Sequence, residues 1–378
     1  MSDFRDQFPV TKKWAFLDHA AVAPLSGPAQ QALVEWAADM AANGDVFLER
    51  WIHRIEQVRA SAARLLGANL KEVAFIKNTS EGICFVAEGF PWKPGDNVVT
   101  AAEEYPANLY PWMNLSGRGV EVRLVPSRGC RIDLGDVFAA VDERTRLISL
   151  SHVEYASGFR NDLEAIGSFC RQRGIYFLVD AIQGLGVLPL DVSKLPIDFL
   201  AADGHKWLLG PEGAGLFFIR SELVEFLHPI SVGWKSVVNA TDFSKTDFRL
   251  RPHAGRWESG TLNVGGIVSL GASIDLLLEA GIAEVTGRVL HLTDYLCEQL
   301  ARANLTVASS RLDRERSGIV SIECPPAALS NCVRSCREEG IIINQRANRL
   351  RASPHFYNSE EDIDRLVLRL HDVLANTH

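Results

Sequence analysis

Short apolar runs alternate with amphipathic stretches through the first two thirds of the chain, and this alternation constrains the fold most strongly. Seven runs rich in β-branched and aromatic residues predict strands at 73–76, 97–100, 121–125, 146–150, 175–180, 197–202 and 215–220. Amphipathic stretches such as 163–174 predict helices between them, so crossover connections and a largely parallel sheet are expected. The run 215–220 follows its predecessor too closely for a long helix, which predicts one antiparallel strand.

The pattern changes after about residue 264. Two long helical stretches (265–282 and 285–305) precede two short strand-like runs (318–324 and 340–344), and residues 359–377 predict a closing helix. A chain of 378 residues also exceeds one ordinary core. We therefore expect an α/β protein whose mostly parallel seven-stranded sheet is flanked by helices, with a smaller α+β C-terminal domain. The expected boundaries are 18–270 for the large domain, and 1–17 with 271–378 for the small one.

Composition excludes several classes of partner. The formal net charge is −8, whereas nucleic acids and anionic membranes favour basic surfaces. No apolar run approaches the roughly 20 residues that span a bilayer, and the N-terminus lacks a secretory apolar core. The seven cysteines form no CxxC pair and no zinc-like spacing with histidine. We expect a cytoplasmic protein with reduced thiols, no metal site, and neither a nucleic-acid nor a membrane partner.

Polar residues follow several predicted strands at the point where each strand ends. Asp180 ends one strand and Gln183 follows it, Lys206 lies in the turn DGHKW after the next strand, and Thr79 and Ser80 follow the first strand. Ligands of parallel sheets bind beyond the carboxyl ends of strands, so these groups are expected to face one crevice. Each also has a simpler explanation, since Thr79, Ser80 and Asp180 are ordinary helix caps and a lysine in a loop needs no function.

The combination is more specific than its parts. Hydroxyls and amides at a helix start make a phosphate site, and a desolvated lysine forms an imine with an aldehyde. A buried carboxylate keeps a pyridine nitrogen protonated, so that the ring accepts electrons. Neither a G-x-x-x-x-G-K-[ST] loop nor a G-x-G-x-x-G turn after the first strand is present, which removes the usual nucleotide interpretations. A pyridoxal 5′-phosphate site is the prediction.

The chain resembles the class V aminotransferase group of fold-type I pyridoxal phosphate enzymes, which includes cysteine desulfurases, cysteine lyases and isopenicillin N epimerase-like proteins. The resemblance runs from FLDHAAVAPLS (16–26) to LRASPHFYNSEEDIDRL (350–366), with its strongest motifs in VDAIQ (179–183) and DGHKWLLGPEGAG (203–215). It implies the pyridoxal phosphate transferase fold of type I, an amino-acid substrate and a homodimer.

The resemblance also implies a role for each matching residue. Lys206 matches the Schiff-base lysine and Asp180 the partner of the pyridine nitrogen, while Gln183 matches the group that binds the phenolic oxygen. The remaining matches are Thr79, Ser80 and His205 for the phosphate, Tyr105 for ring stacking, Thr261 for a phosphate contact delivered from the neighbouring subunit, Arg351 for the substrate carboxylate, and His19 for a substrate contact or loop hydrogen bonding.

Three departures from the desulfurase pattern stand out. Asp203 occupies the place of a phosphate-binding serine, so it is expected to face His205 or a backbone cap rather than the phosphate. Tyr155 replaces an asparagine that contacts the cofactor. The segment QRANR (345–349) is short and carries no cysteine where desulfurases place their persulfide cysteine, which disfavours a protein persulfide. Its two arginines either bind an acidic substrate side chain or are solvated.

The predicted activity is aminotransfer by a class V enzyme. A C–S or C–N lyase and an amino-acid epimerase are alternatives, because all three reactions begin with removal of the Cα proton by the same lysine. A non-catalytic protein with the cofactor fold is a further alternative. It is disfavoured because a scaffold needs none of Lys206, Asp180 and Arg351.

Overall fold

A seven-stranded sheet forms the centre of the large lobe in the computed structural model, which describes residues 2–375. Each predicted run contains one of its strands. In chain order they are β1 Val73–Ile76, β2 Asn97–Ala101, β3 Glu121–Val125, β4 Thr145–Ser151, β5 Tyr176–Asp180, β6 Phe199–Asp203 and β7 Gly215–Ile219. Six of the strands are buried at every position or all but one, which explains why they read as continuous apolar runs rather than alternating ones.

The spatial order of the sheet is β1-β7-β6-β5-β4-β2-β3. Only β7 runs antiparallel to its neighbours, β1 and β6, and the other pairs are parallel. The single antiparallel strand predicted from the sequence is therefore confirmed, as is the α/β fold. Because β1, β4, β5 and β6 share one direction, their carboxyl ends lie along the same edge of the sheet.

Helices cover both faces of the sheet, where the buried residues form two apolar clusters. Five long helices belong to this lobe: α1 Gly27–Asn43, α2 Leu48–Leu66, α3 Thr79–Gly89, α4 Leu163–Arg173 and α5 Val264–Ala280. The ends follow ordinary capping chemistry. The Asn78 side chain accepts from the Glu81 N–H at the start of α3, and α4 ends at Gly174, whose φ of 66° suits glycine.

The smaller α+β lobe has its own apolar core. It contains α6 Ile282–Arg302, α7 Leu329–Glu338, α8 Glu360–Ala375, and an antiparallel sheet of order β8-β10-β9 made by β8 Val320–Ile322, β9 Asn344–Arg346 and β10 Arg349–Ala352. The N-terminal strand Ala15–Phe16 pairs in parallel with Ile341–Ile342, so both chain ends contribute to this lobe.

Minor elements connect these parts. They are the short helices Ser2–Arg5, Tyr110–Met113 and Leu134–Ala139, and the hairpin strands Ser127–Arg128 and Arg131–Ile132. No single helix within residues 2–375 has the length and apolar character needed to cross a membrane, although α5 and α6 taken together meet those criteria with a bend of 83° between them.

Candidate active site

A crevice of about 350 Å³ lies at the sheet edge where β1, β5 and β6 end, a size typical of small-molecule sites. Its lining includes eight of the ten predicted site residues, whereas His19 and Thr261 lie elsewhere. The lining residues are Ala20, Ala21, Val22, Asn78, Thr79, Ser80, Tyr105, Ala107, Tyr155, Asp180, Ile182, Gln183, Asp203, His205, Lys206, Glu212, Arg346 and Arg351.

Lys206 lies in a tight turn directly after β6. The Gly204 N–H donates to Asp203 Oδ1, and the Leu209 N–H donates to the Lys206 carbonyl, which fixes the turn on both sides of the lysine. Only 9% of the residue is exposed. Burial lowers its pKa from 10.5 to about 8, although the charge of Asp180 opposes the shift. About a tenth of the amine is thus unprotonated at pH 7, far more than for an exposed lysine, and this is the form that a nucleophile or base requires.

Asp180 is the last residue of β5 and is 2% exposed. Burial raises its pKa to about 6, while a hydrogen bond from the Ile182 N–H (3.0 Å) and the charge of Lys206 act in the opposite direction. The carboxylate therefore lies in a poorly hydrated place where a cationic partner would stabilise it. A protonated pyridine nitrogen is such a partner.

The start of α3 supplies a site for an anion. The first N–H groups of a helix have no partner within it; Asn78 caps that of Glu81, and Thr79 and Ser80 add hydroxyls beside the crevice. Thr79 Oγ1 accepts from the Asp203 N–H (3.0 Å), which links the helix start to the end of β6.

Both oxygens of the Asp203 carboxylate are engaged by neighbouring groups. Its Oδ2 lies 2.8 Å from His205 Nδ1, and its Oδ1 accepts from the Gly204 N–H. This is the arrangement expected from the sequence, because a free carboxylate beside a phosphate would be repelled. The backbone of His205 is fixed as well, because its carbonyl accepts a hydrogen bond from the Ala23 N–H (2.8 Å).

Gln183 connects three segments around the crevice. Its Nε2 donates to the Ala20 carbonyl (3.0 Å), and its Oε1 accepts from Trp207 Nε1 (2.8 Å). The tryptophan that follows Lys206 is fully buried. These contacts fix the amide so that its remaining N–H is the group available to a ligand.

Arg351 reaches the crevice from β10 of the small lobe. Its Nη1 donates to the Tyr155 carbonyl (2.8 Å), and its Nη2 lies 3.2 Å from Asp18 Oδ1. Both side chains of this ion pair are less than a tenth exposed. The buried Nε of Arg351 has no hydrogen-bond partner among the described residues. An unpaired buried donor is costly, so this atom favours an incoming acceptor.

Two tyrosines line the crevice beside the lysine. Lys206 Nζ lies 5.5 Å from the centre of the Tyr105 ring, and the Tyr105 and Tyr155 rings meet edge to face with centroids 5.2 Å apart. Tyr105 remains 47% exposed. Its ring is therefore free to contact a planar ligand placed between it and the sheet edge.

The other two predicted site residues lie outside the crevice. His19 is fully buried, with Nδ1 2.8 Å from the Ser353 carbonyl and Nε2 2.5 Å from the Tyr357 hydroxyl. Both ring nitrogens are engaged, which corresponds to the loop hydrogen bonding weighed for it from the sequence. Thr261 lines a second cavity of about 320 Å³ together with Lys77 and Glu258.

A group of buried acids near Asp180 was not predicted from the sequence. Glu104 accepts from both the N–H and the hydroxyl of Ser151, and Glu154 accepts from Asn161 Nδ2 (2.8 Å). Burial raises the pKa of Glu104 well above its usual range, which favours the neutral form of this carboxyl. The pair Glu103 and Glu104, separated from the end of β2 by one residue, was the available signal, but the sequence does not show which of the two carboxyls is buried.

Pyridoxal phosphate fits this set of groups. The helix start and its hydroxyls suit the phosphate, Asp180 suits the ring nitrogen, and the partly unprotonated Lys206 suits the aldehyde. The unpaired Nε of Arg351 suits a carboxylate of a second ligand. None of the seven cysteines lines the crevice.

Comparison with known proteins identifies the family. The family model described as Aminotransferase class-V matches residues 15–366. The chain belongs to the class-V aminotransferase family. Among the relatives of this class-V protein, a probable cysteine desulfurase of Methanothermobacter thermautotrophicus is 30% identical, and the match covers 98% of this chain and 97% of that protein.

Solved structures confirm the fold of this class-V chain. An apo structure of cysteine desulfurase from Thermococcus onnurineus NA1 matches with a TM-score of 0.91 and 26% identity, covering 99% of this chain and 98% of that one. A mutant of C-DES with glycine covalently linked to the PLP cofactor matches with a TM-score of 0.91 at 24% identity, covering 97% and 99% of the two chains. The predicted family and the fold-type I architecture are thereby confirmed.

Proposed function

We propose that this chain is a pyridoxal-phosphate-dependent enzyme that acts on an α-amino acid. The observation that carries the proposal is the crevice in which a buried lysine with a pKa of about 8, a buried carboxylate and a buried arginine meet. Membership of the class-V family supports it. Burial of a lysine is unfavourable because it disfavours the charged amine. A buried lysine beside a buried carboxylate is therefore typical of a catalytic amine.

The residues divide into those that hold the cofactor and those that hold the substrate. Thr79, Ser80 and the start of α3 would bind the phosphate. Asp180 would bind the pyridine nitrogen, and Gln183 would bind the phenolic oxygen. When bound, the cofactor supplies an electron-accepting ring that stabilises negative charge at the substrate Cα. Arg351 donates to the substrate α-carboxylate and so orients the Cα–H bond.

Lys206 moves the proton. Its Nζ accepts the Cα proton from the bound amino acid, and the same amine then returns a proton at the position that defines the product. Asp180 lies in the same crevice, and its negative charge opposes the loss of the Lys206 proton. Tyr105 lines the crevice and offers its ring as a stacking face for the cofactor.

The finer activity that we propose is aminotransfer. Aminotransfer needs one acid–base group that removes the proton from the substrate Cα and returns a proton to a second atom. Lys206 can do both without another residue. The second candidate is a C–S lyase, which the names of the relatives as cysteine desulfurases favour. A lyase of this kind would release sulfur without a protein persulfide, because no cysteine lines the crevice.

Spectral screening of the holoprotein tests the proposal. Amino acids are added one at a time, and the cofactor absorption band and the keto-acid product are followed. Conversion of the cofactor to its amine form supports aminotransfer. Keto acid and sulfide released from a sulfur amino acid with the cofactor band restored support the lyase. If no amino acid changes the absorption at any concentration, the proposed function is wrong.

The pKa of Lys206 gives a pH prediction. Because only the unprotonated amine attacks an aldehyde, covalent capture of pyridoxal phosphate by apoprotein should accelerate as pH rises and level off above about 8. Stopped-flow absorption between pH 6 and 10 measures this. A midpoint near the ordinary lysine value of 10.5 would contradict burial of the amine.

We also propose that the active protein is a homodimer in which Thr261 contributes to the neighbouring subunit's phosphate site. The resemblance to the family and the place of Thr261 in a separate open cavity support this. The exposed rings of Phe243 and Phe248, 80% and 71% exposed, offer further apolar surface for a second copy. We expect cofactor to dissociate as the protein is diluted to monomer in sedimentation experiments, and a monomer that retains cofactor would contradict sharing.

A further inference from the structure

The hairpin formed by β9 and β10 has one polar face and one apolar face. Its two-residue turn, Ala347 and Asn348, has φ values of 46° and 60°, the conformation of a tight type I′ hairpin. Strand pairing joins Asn344 to Arg351 and Arg346 to Arg349. Because side chains alternate along a strand, these four residues share one face, whereas Leu350 lies on the other face in the core of the small lobe.

Two of the three arginines on this face are neutralised by carboxylates. Arg349 Nε lies 2.8 Å from Glu323 Oε1 on the side of β8, and Arg351 is paired with Asp18. Arg346 differs from both. Its Nη1 donates to Asn344 Oδ1 (3.0 Å) and to the Gln345 carbonyl (2.8 Å), and within residues 2–375 it forms no ion pair.

Arg346 also differs from Arg349 in position. Arg346 and Arg351 line the crevice, and Arg349 does not. After burial and the charge of Arg351, the charge of Arg346 is a further cause of the lowered pKa of Lys206, so its guanidinium lies close enough to act on the catalytic amine. A chain of contacts from Arg346 through Asn344 and Asp18 to Arg351 fixes one wall of the crevice.

The charge of Arg346 acts on Asp18, but Asp18 forms its ion pair with Arg351, and the acidic groups that line the crevice are engaged elsewhere or exposed. Asp180 acts with Lys206, Asp203 is paired with His205, and Glu212 is an exposed residue at the rim. A substrate α-carboxylate occupies Arg351 in the proposed function. The wall thus retains an arginine that forms no ion pair of its own within residues 2–375, in the same crevice as Lys206.

We propose that Arg346 binds a second anionic group at the end of the substrate side chain, so that the preferred substrates are amino acids with an acidic side chain. The inference rests on the proposed function. A guanidinium held in a rigid hairpin makes charge-assisted, bidentate contacts with a carboxylate, and the uncharged amide of the same shape loses them.

Matched pairs of ligands and variants test the proposal. Dissociation constants for aspartate and asparagine, and for glutamate and glutamine, are read from the absorption change of the holoprotein, which does not require turnover. We expect the wild-type protein to bind an acid about 10-fold to 100-fold more tightly than its amide. Arg346→Gln should remove that preference by weakening only the acids, while Arg349→Gln should preserve it within about twofold.

The possible outcomes separate this inference from the proposed function. If no amino acid perturbs the absorption, the proposed function fails and the inference fails with it. If amides bind as tightly as acids in the wild-type protein, or if Arg346→Gln weakens both equally, only the inference is overturned. Should Arg346→Gln not retain cofactor, the acid-to-amide ratio of the wild-type protein decides alone, and a ratio near one overturns the proposal.

Discussion

Replacing Lys206 with alanine is expected to slow turnover of every amino-acid substrate by about 10³-fold or more, because no other lysine among residues 2–375 lines the crevice to move the Cα proton. The variant should fold, since alanine removes a buried amine whose burial opposes its charged form. Steady-state rates and the far-ultraviolet circular dichroism of the two proteins measure the effect. Lys194→Ala is the matched control, because that side chain is 81% exposed and pairs with Asp191.

The result that would contradict the role of Lys206 is equally specific. A Lys206→Ala protein that turns over substrate at a rate within tenfold of wild type would place the base elsewhere. Partial rescue by a small primary amine in solution would support the role, because the added amine replaces the missing group at the same atom. A purely structural lysine would not respond to such an amine.

Replacing Asp180 with asparagine is expected to lower kcat by about 10²-fold to 10³-fold, because the variant loses the charge that stabilises the electron-accepting ring. Asparagine keeps the acceptor for the Ile182 N–H. The charge of Asp180 raises the pKa of Lys206, so its removal should move the midpoint of cofactor capture below about 8. Rate measurements and the capture profile test both effects.

The stability of the Asp180→Asn apoprotein provides the control. Burial raises the pKa of Asp180 from 3.8 to about 6, so the folded apoprotein binds the proton more tightly than the unfolded chain and loses stability as pH rises through this window. Above pH 6 the asparagine variant should therefore unfold at the same or a higher urea concentration than wild type. Asp198→Asn offers a comparison outside the crevice, because burial raises its pKa to about 6 as well. If Asp180→Asn is both less stable and fully active, the residue is structural.

The sheet and the strand-end residues were predictable from sequence for a clear physical reason. Strands buried on both faces, such as β5 and β7, produce unbroken apolar runs, and the polar residue that ends the run marks the sheet edge. Asp180 and Lys206 are found in this way. The hairpin β9–β10 was missed as a unit because its turn contains Ala347 at positive φ, where glycine or asparagine is the usual signal.

Other features depend on contacts that no local pattern records. The ion pair of Asp18 with Arg351 joins residues that are 333 positions apart. Helix α1 gave no strong amphipathic signal, because Ala29 is its only buried residue among those described. His19 lies near the matching N-terminal segment in sequence, but its ring turns towards Tyr357 and away from the crevice. The role of Thr261 depends on a second subunit, which the sequence of one chain does not position.

Reduction of the holoprotein with borohydride, followed by peptide mapping, tests the central claim most directly. Lys206 should carry the reduced cofactor as a stable adduct in near-stoichiometric amount, and the Lys206→Ala protein should carry none at any other lysine. An adduct located on another lysine, or spread over several exposed ones, would show that the buried amine beside Asp180 is not the group that binds the cofactor.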